Sequence, residues 1–183
     1  MLAPEEAKRI LAAAEPVCSA AAVSEAVKRV AAEIRAALAD RNPLVLSVMG
    51  GAVVFTGQLL PLLDFPLDFD YIHVSRYREQ TRGAGIEWKV VPNSRVEGRV
   101  VLVVDDILDE GETLAAIRER VLGMGAQAFF SAVFADKATG RAKPMRADFT
   151  GVSVPDRYVF GFGMDVEGMW RNLPAIYALR SGE

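Results

Sequence analysis

Val100-Val-Leu-Val-Val104 is an unbroken apolar run that ends on two adjacent carboxylates, Asp105 and Asp106. A run of that length and composition forms a buried strand, and a buried strand needs helices to cover it. It delivers the two acids to the carboxyl edge of a sheet, where open α/β folds place their ligands. A loop containing Gly111 follows, then a helical pattern from Thr113 to Leu122 that stops at Gly123 and Gly125.

The rest of the chain repeats this alternation. From about Pro4 to Asp40, Ile10, Val17, Val30, Ile34 and Leu38 recur at helical spacing, with Pro16 dividing two helices and Ser24 a cap near the second. Leu44–Val48 reads as a buried strand broken by Met49-Gly50-Gly51, and Ala52–Leu63 as a helix. Phe69–Val74 is strand-like. A polar stretch with Arg76, Arg78 and Arg82 follows, and Ile86–Val91 returns as the second arm of a hairpin flap. Phe129–Phe134 and Tyr158–Phe162 are further strands. The expected class is α/β, a mainly parallel central sheet flanked by helices.

At 183 residues the chain suits one domain, spanning 1–183, and a 51% hydrophobic share suffices for its core. Lys and Arg number 21 against 24 Asp and Glu, so no basic excess points to nucleic acid. Cys18 is the only cysteine, which excludes an intramolecular disulfide and suits a reducing compartment. The start lacks a secretory pattern, and no apolar run reaches the roughly 20 residues of a membrane span. A soluble, cytoplasmic protein is expected.

Amides at the start of a helix, with the Thr113 hydroxyl, can receive a phosphate. Two carboxylates beside that cradle call for hydroxyls or a cation, and a ribose phosphate with Mg2+ offers both. The acid pair alone also fits a receiver domain, and acids in a first helical turn merely offset the helix dipole. The whole string Val100–Leu114 is more specific: it is similar to the 5-phosphoribosyl-1-pyrophosphate (PRPP) motif of type I phosphoribosyltransferases, with Glu110 standing where Thr is common. The resemblance implies PRPP contacts from Asp105, Asp106, Asp109, Glu110, Gly111, Glu112 and Thr113.

Other segments resemble the hypoxanthine-guanine phosphoribosyltransferases, in order, from about Leu44 to Leu173. Met49-Gly50-Gly51 looks like the pyrophosphate loop, with Met49 where lysine is frequent. Ser75-Arg76-Tyr77 resembles the start of a mobile loop (about 75–88). Asp136-Lys137-Ala-Thr-Gly-Arg141 and Val154–Asp165 look like the base-binding segments. The resemblance implies Lys137 on the purine 6-oxo group with Arg141 close by, Tyr158 stacking on the base, and the Val159 backbone reading its edge. It further implies Asp165 near Mg2+, with Asp105 and Asp106 nearby, and Arg171 on pyrophosphate. N-terminal helices would occupy about 4–40 and a base-binding hood about 137–183.

The implied reaction is attack of purine N9 on C1′ of PRPP, with Asp109 exchanging the purine proton. It would make this a Mg-dependent purine-salvage enzyme, a homodimer or homotetramer acting on PRPP and a purine base without nucleic-acid or membrane partners. Competing readings are a PRPP-sensing regulator of nucleic-acid binding on the same fold and a transferase for another base. His73 reads as structural, because no Cys or second His completes a metal site. Trp88 and Trp170 read as packing residues.

Overall fold

A computed structural model describes residues 2–76 and 86–180. Helix α1 (Pro4–Ala13) carries its proline in the first turn, where the missing N–H has no partner to lose. Pro16 does separate two helices, but it lies inside a short strand, β1 (Glu15–Cys18). That extended segment moves the helix start: α2 (Ala20–Leu38) is capped by Ser19, whose Oγ accepts from Ala22 N at 3.3 Å, and Ser24 lies within the helix. Val23, Val27, Val30, Ile34 and Leu38 form its buried stripe.

The order continues β2 (Leu44–Met49), α3 (Val53–Leu59), β3 (Asp68–Arg76), β4 (Ile86–Val90), β5 (Val100–Leu108), α4 (Glu112–Gly123), β6 (Ala128–Ala138), β7 (Phe149–Pro155), β8 (Val159–Phe160) and β9 (Ile176–Ala178). The large sheet runs β4-β3-β2-β5-β6-β7, parallel except for the antiparallel β3–β4 pair. This is the expected α/β class. Residues 77–85 of the anticipated mobile loop lie outside the described residues, as does the Arg76 side chain, while its last residues, from Ile86, belong to β4.

Burial follows from strands covered on both faces. Val45, Leu102, Val104 and Phe134 pack with α2 and α3, while Leu46, Val101 and Val103 pack with Leu114, Ile117 and Val121 of α4. β5 is longer than its apolar run, because the ladder with β6 continues through Asp105, Ile107 and Leu108. The acids therefore project from paired strand rather than from a loose end.

A small antiparallel sheet, β1-β9-β8, sits apart from the large one. Its edge strand comes from the N-terminal stretch expected to be wholly helical, while β7, within the anticipated hood, belongs to the large sheet. Tyr158–Phe162 yields only the two-residue β8, since Gly161 and Phe162 take positive φ and turn the chain away. The turn packs Phe162 against the Phe55–Phe134 pair, at centroid distances of 6.4 and 4.3 Å. Trp88 packs beneath Arg120, and Trp170 Nε1 donates to the Ala7 carbonyl at 2.8 Å, in keeping with packing roles.

Candidate functional site

The sheet changes direction at β2: β3 lies on one side of it and β5 on the other. A crevice opens beyond the carboxyl ends of strands at such a point. Here it is a cavity of about 530 Å³ lined by Met49, Gly50, Gly51, Asp105, Asp106, Asp109, Gly111, Thr113, Asp165 and Arg171, with His73 and Val74. Four separate stretches of sequence thus meet in one crevice. His73 faces it too, a placement not anticipated from sequence; it is Met49's partner in the β2–β3 ladder.

The two acids are linked locally, with Asp106 N donating to Asp105 Oδ1 at 2.9 Å. Burial pushes the Asp105 carboxyl well above the ordinary 3.8, and the neighbouring Asp106 charge adds to the rise. Burial also raises Asp106, opposed by hydrogen bonds from Asp105 and the Ile107 amide and by the Arg171 charge. A carboxyl group whose native pKa is raised stabilises the fold in its protonated form below about pH 4, and that stability is lost as pH rises through the raised value.

Asp105→Asn removes the buried charge but keeps an oxygen for Asp106 N. The variant should therefore exceed the wild type in stability at pH 8 by on the order of 1–3 kcal/mol, a few degrees in Tm, with the gain shrinking toward pH 4. Thermal melts at the two pH values check this. A gain of equal size at both would mean that the Asp105 charge is not what is being relieved.

Two glycines let the walls close on the acids. A Cβ on Gly51 would stand 1.9 Å from Asp106 Oδ2, and one on Gly163 would stand 2.1 Å from the Gly51 carbonyl oxygen. Gly163 also has φ +100, outside the range comfortable for L side chains. Its close approach to the Gly51 carbonyl brings the hood against the Met49–Gly51 loop, and its own carbonyl accepts from Arg171 Nη1 at 2.7 Å. Arg171 Nη2 in turn pairs with Asp165 Oδ1 at 2.6 Å, and Gly168 N donates to Asp165 Oδ2 at 2.6 Å. Asp165 and Arg171, assigned separate roles from the sequence, thus hold one another. The pattern Gly161-Phe162-Gly163, two glycines around one aromatic, was a sequence signal for this turn.

A second cavity, of about 550 Å³, adjoins the first through Asp109. Lys137, Arg141, Lys143, Glu110 and Glu112 are among its lining residues. The residues of the phosphate loop therefore divide, with Gly111 and Thr113 at the first cavity and Glu110 and Glu112 at the second. Lys137 Nζ meets Asp109 Oδ2 at 2.7 Å, with Lys137 13% and Asp109 44% exposed. Tyr158 and Val159 are not among the lining residues of either cavity. Tyr158 is tied to the site by its hydroxyl, which donates to the Asp165 carbonyl at 3.0 Å while the residue stays 52% exposed. Val159 is buried in the β8–β9 ladder. Ser75 Oγ donates across the β3–β4 hairpin to Glu87 at 3.3 Å.

The phosphoribosyl transferase domain profile matches residues 19–167. The hypoxanthine-guanine phosphoribosyltransferase of Bacillus subtilis (strain 168) is 35% identical over 160 residues, 86% of this chain and 88% of that protein. Among solved structures, a hypoxanthine-guanine-xanthine phosphoribosyltransferase superposes with TM-score 0.84 at 31% identity, covering 93% of this chain and 99% of that one. A hypoxanthine phosphoribosyltransferase from Staphylococcus aureus does so with TM-score 0.85 at 25% identity, covering 91% of each.

Proposed function

We infer the activity from one premise: the chain belongs to the hypoxanthine-guanine phosphoribosyltransferases, within the phosphoribosyl transferase domain family. It is a purine-salvage enzyme that joins a 6-oxopurine to PRPP and releases pyrophosphate. One observation of the molecule carries the reading. The switch-point cavity gathers the Met49–Gly51 loop, the acid pair, the start of α4 and Arg171, and it meets the Lys137 cavity at Asp109.

We assign the residues as follows. Amides at the start of α4 and the Thr113 hydroxyl receive the 5-phosphate, and backbone amides of Met49–Gly51 receive pyrophosphate. Asp105 and Asp106 orient the ribose hydroxyls and face the positive charge that develops at C1′. Arg171 presents its remaining donors to the leaving pyrophosphate. Lys137 donates to the purine 6-oxo group with Arg141 beside it, Tyr158 offers its exposed ring for stacking, and Val159 offers its backbone. As N9 bonds to C1′, the bond from C1′ to the pyrophosphate oxygen breaks and the purine proton passes to Asp109. Ser75, Arg76 and Tyr77 begin a segment that closes over the centre and excludes water.

The donor set suits Mg2+. Among the described residues no group of three or more His, Cys, Asp and Glu is arranged to hold a metal alone. That fits a hard ion held partly by substrate oxygens, with Asp165 and the nearby Asp105 and Asp106 contributing carboxylates. When bound, the ion would neutralise charge on pyrophosphate. Cys18 is a free thiol, in keeping with a cytoplasmic setting. Exposed Phe69, Tyr71 and Val53 support self-association as a homodimer or homotetramer, which sedimentation of the purified chain would reveal or refute.

Purified protein given PRPP, Mg2+ and hypoxanthine or guanine should release pyrophosphate, stop in EDTA and recover on adding Mg2+. Silence with both bases would overturn the activity, and full turnover in EDTA would overturn the metal.

A further inference from the structure

Lys143 belongs to no motif considered so far. It lies between Ala142 and Pro144 in the crossover from β6 to β7. Its side chain is only 11% exposed. The ammonium sits 2.7 Å from the Leu108 carbonyl oxygen, 2.7 Å from the Lys137 carbonyl oxygen and 2.5 Å from Asp136 Oδ1. Three donors meet three acceptors, so the group is saturated.

The identity of those acceptors is what matters. The ladder between β5 and β6 ends at the Leu108–Asp136 pair. Asp109 and Lys137 are the next residues along the two strands; Lys137 remains paired with Val154 of β7, but no further rung between β5 and β6 sets its spacing from Asp109. Lys143 binds both members of the last rung and the Lys137 carbonyl, so it cross-links the two strands where the ladder stops. Its stem also packs on the loop beyond Asp109: a Cβ on Gly111 would lie 3.2 Å from Lys143 Cβ and 3.3 Å from Pro144 Cδ. A cation is the right plug where two carbonyls and a carboxylate converge.

We propose that Lys143 is a positioning residue that fixes the Lys137 ammonium against Asp109, and so governs base selectivity and proton transfer rather than PRPP binding. This rests on the roles assigned to Lys137 and Asp109 above. Without Lys143, the end of β5 is free to part from β6, which β7 still holds, and Asp109 loses its register with the Lys137 donor and the base between them. The PRPP cavity keeps most of its walls, because the Met49–Gly51, Asp105 and Arg171 contacts do not pass through Lys143, and a methionine stem at position 143 would still pack on Gly111.

The test compares folded Lys143→Met, which keeps the stem without the donors, with Lys137→Gln and Asp109→Asn under steady-state and single-turnover conditions. Lys143→Met should raise the hypoxanthine KM about tenfold, lower kcat, reduce the preference for hypoxanthine over adenine about tenfold and leave the PRPP KM within about twofold. If Lys143→Met does not fold, Asp136→Asn takes its place; it weakens the charged contact alone and should shift the same quantities in the same direction by less.

A lowered Tm with unchanged KM, kcat and base preference in the folded variant would overturn the proposal. Full activity in Lys143→Arg would do the same, since a planar guanidinium cannot direct three donors from one atom. Should Lys137→Gln and Asp109→Asn themselves leave catalysis intact, the roles of those residues fail. Should they impair it while Lys143→Met does not, only the positioning role fails.

Discussion

Asp109→Asn should lower kcat by about tenfold to ten-thousandfold, the range of acid–base assistance, while both KM values change little. The substitution is nearly isosteric and leaves an amide oxygen able to accept from Lys137, so the 2.7 Å contact across the two cavities can persist. What the amide cannot do is take up the purine proton as N9 bonds to C1′. The loss should therefore fall on the chemical step, and it should appear in both directions, since the group that accepts the proton in synthesis returns it in pyrophosphorolysis. Slow product release can hide a slower chemical step, so single-turnover rates are the proper measurement. Unchanged single-turnover rates would remove Asp109 from the proton path, and a raised PRPP KM with normal kcat would make it a binding residue instead.

The parts of this molecule legible in the sequence are those encoded by neighbouring residues. The apolar run Val100–Val104 and its two acids specify a buried strand and the edge to which it carries them, and β5 lies at the centre of the sheet. The helix start at Glu112 follows from Gly111 and the pattern after it. The strands missed, β1, β7 and β9, are short or carry Ser, Thr and Gly among their apolar residues, so their periodicity is weak. β1 and β9 exist because each pairs with the other across most of the chain.

The cap shifted from Ser24 to Ser19 for the same reason: a strand formed by distant pairing decided where α2 begins. The site divides in the same way. Asp105, Asp106 and Asp109 sit in one local motif, whereas the approach of Gly163 to Gly51 and the capture of Lys143 by Leu108 depend on tertiary packing. A lysine between alanine and proline carries no sign that it will be buried.

Base choice gives the second large effect. Lys137 offers only donors, so it serves a 6-oxo group and meets further donors on a 6-amino group. A desolvated donor facing another donor costs roughly 1–3 kcal/mol, more when charged. With about 1.4 kcal/mol to each tenfold in kcat/KM, the wild type should disfavour adenine by one to two orders of magnitude or more. Lys137 is 13% exposed, so water does little to relieve the mismatch. Its ammonium rests on Asp109, and a 6-oxopurine compensates the shared donor with an acceptor where adenine cannot. Lys137→Gln should then erode selectivity, because an amide can turn either a donor or an acceptor to the base. It should also reduce 6-oxopurine turnover, both by losing the charged donor and by taking the cation from Asp109. PRPP affinity should stay nearly intact, since Lys137 lies in the adjoining cavity rather than among the residues lining the PRPP crevice. Competition assays with hypoxanthine and adenine at fixed PRPP read the first two quantities, and a PRPP titration with hypoxanthine saturating reads the third. Equal use of the two bases by the wild type, or full hypoxanthine activity with full discrimination in the variant, would show that another group reads the 6-position.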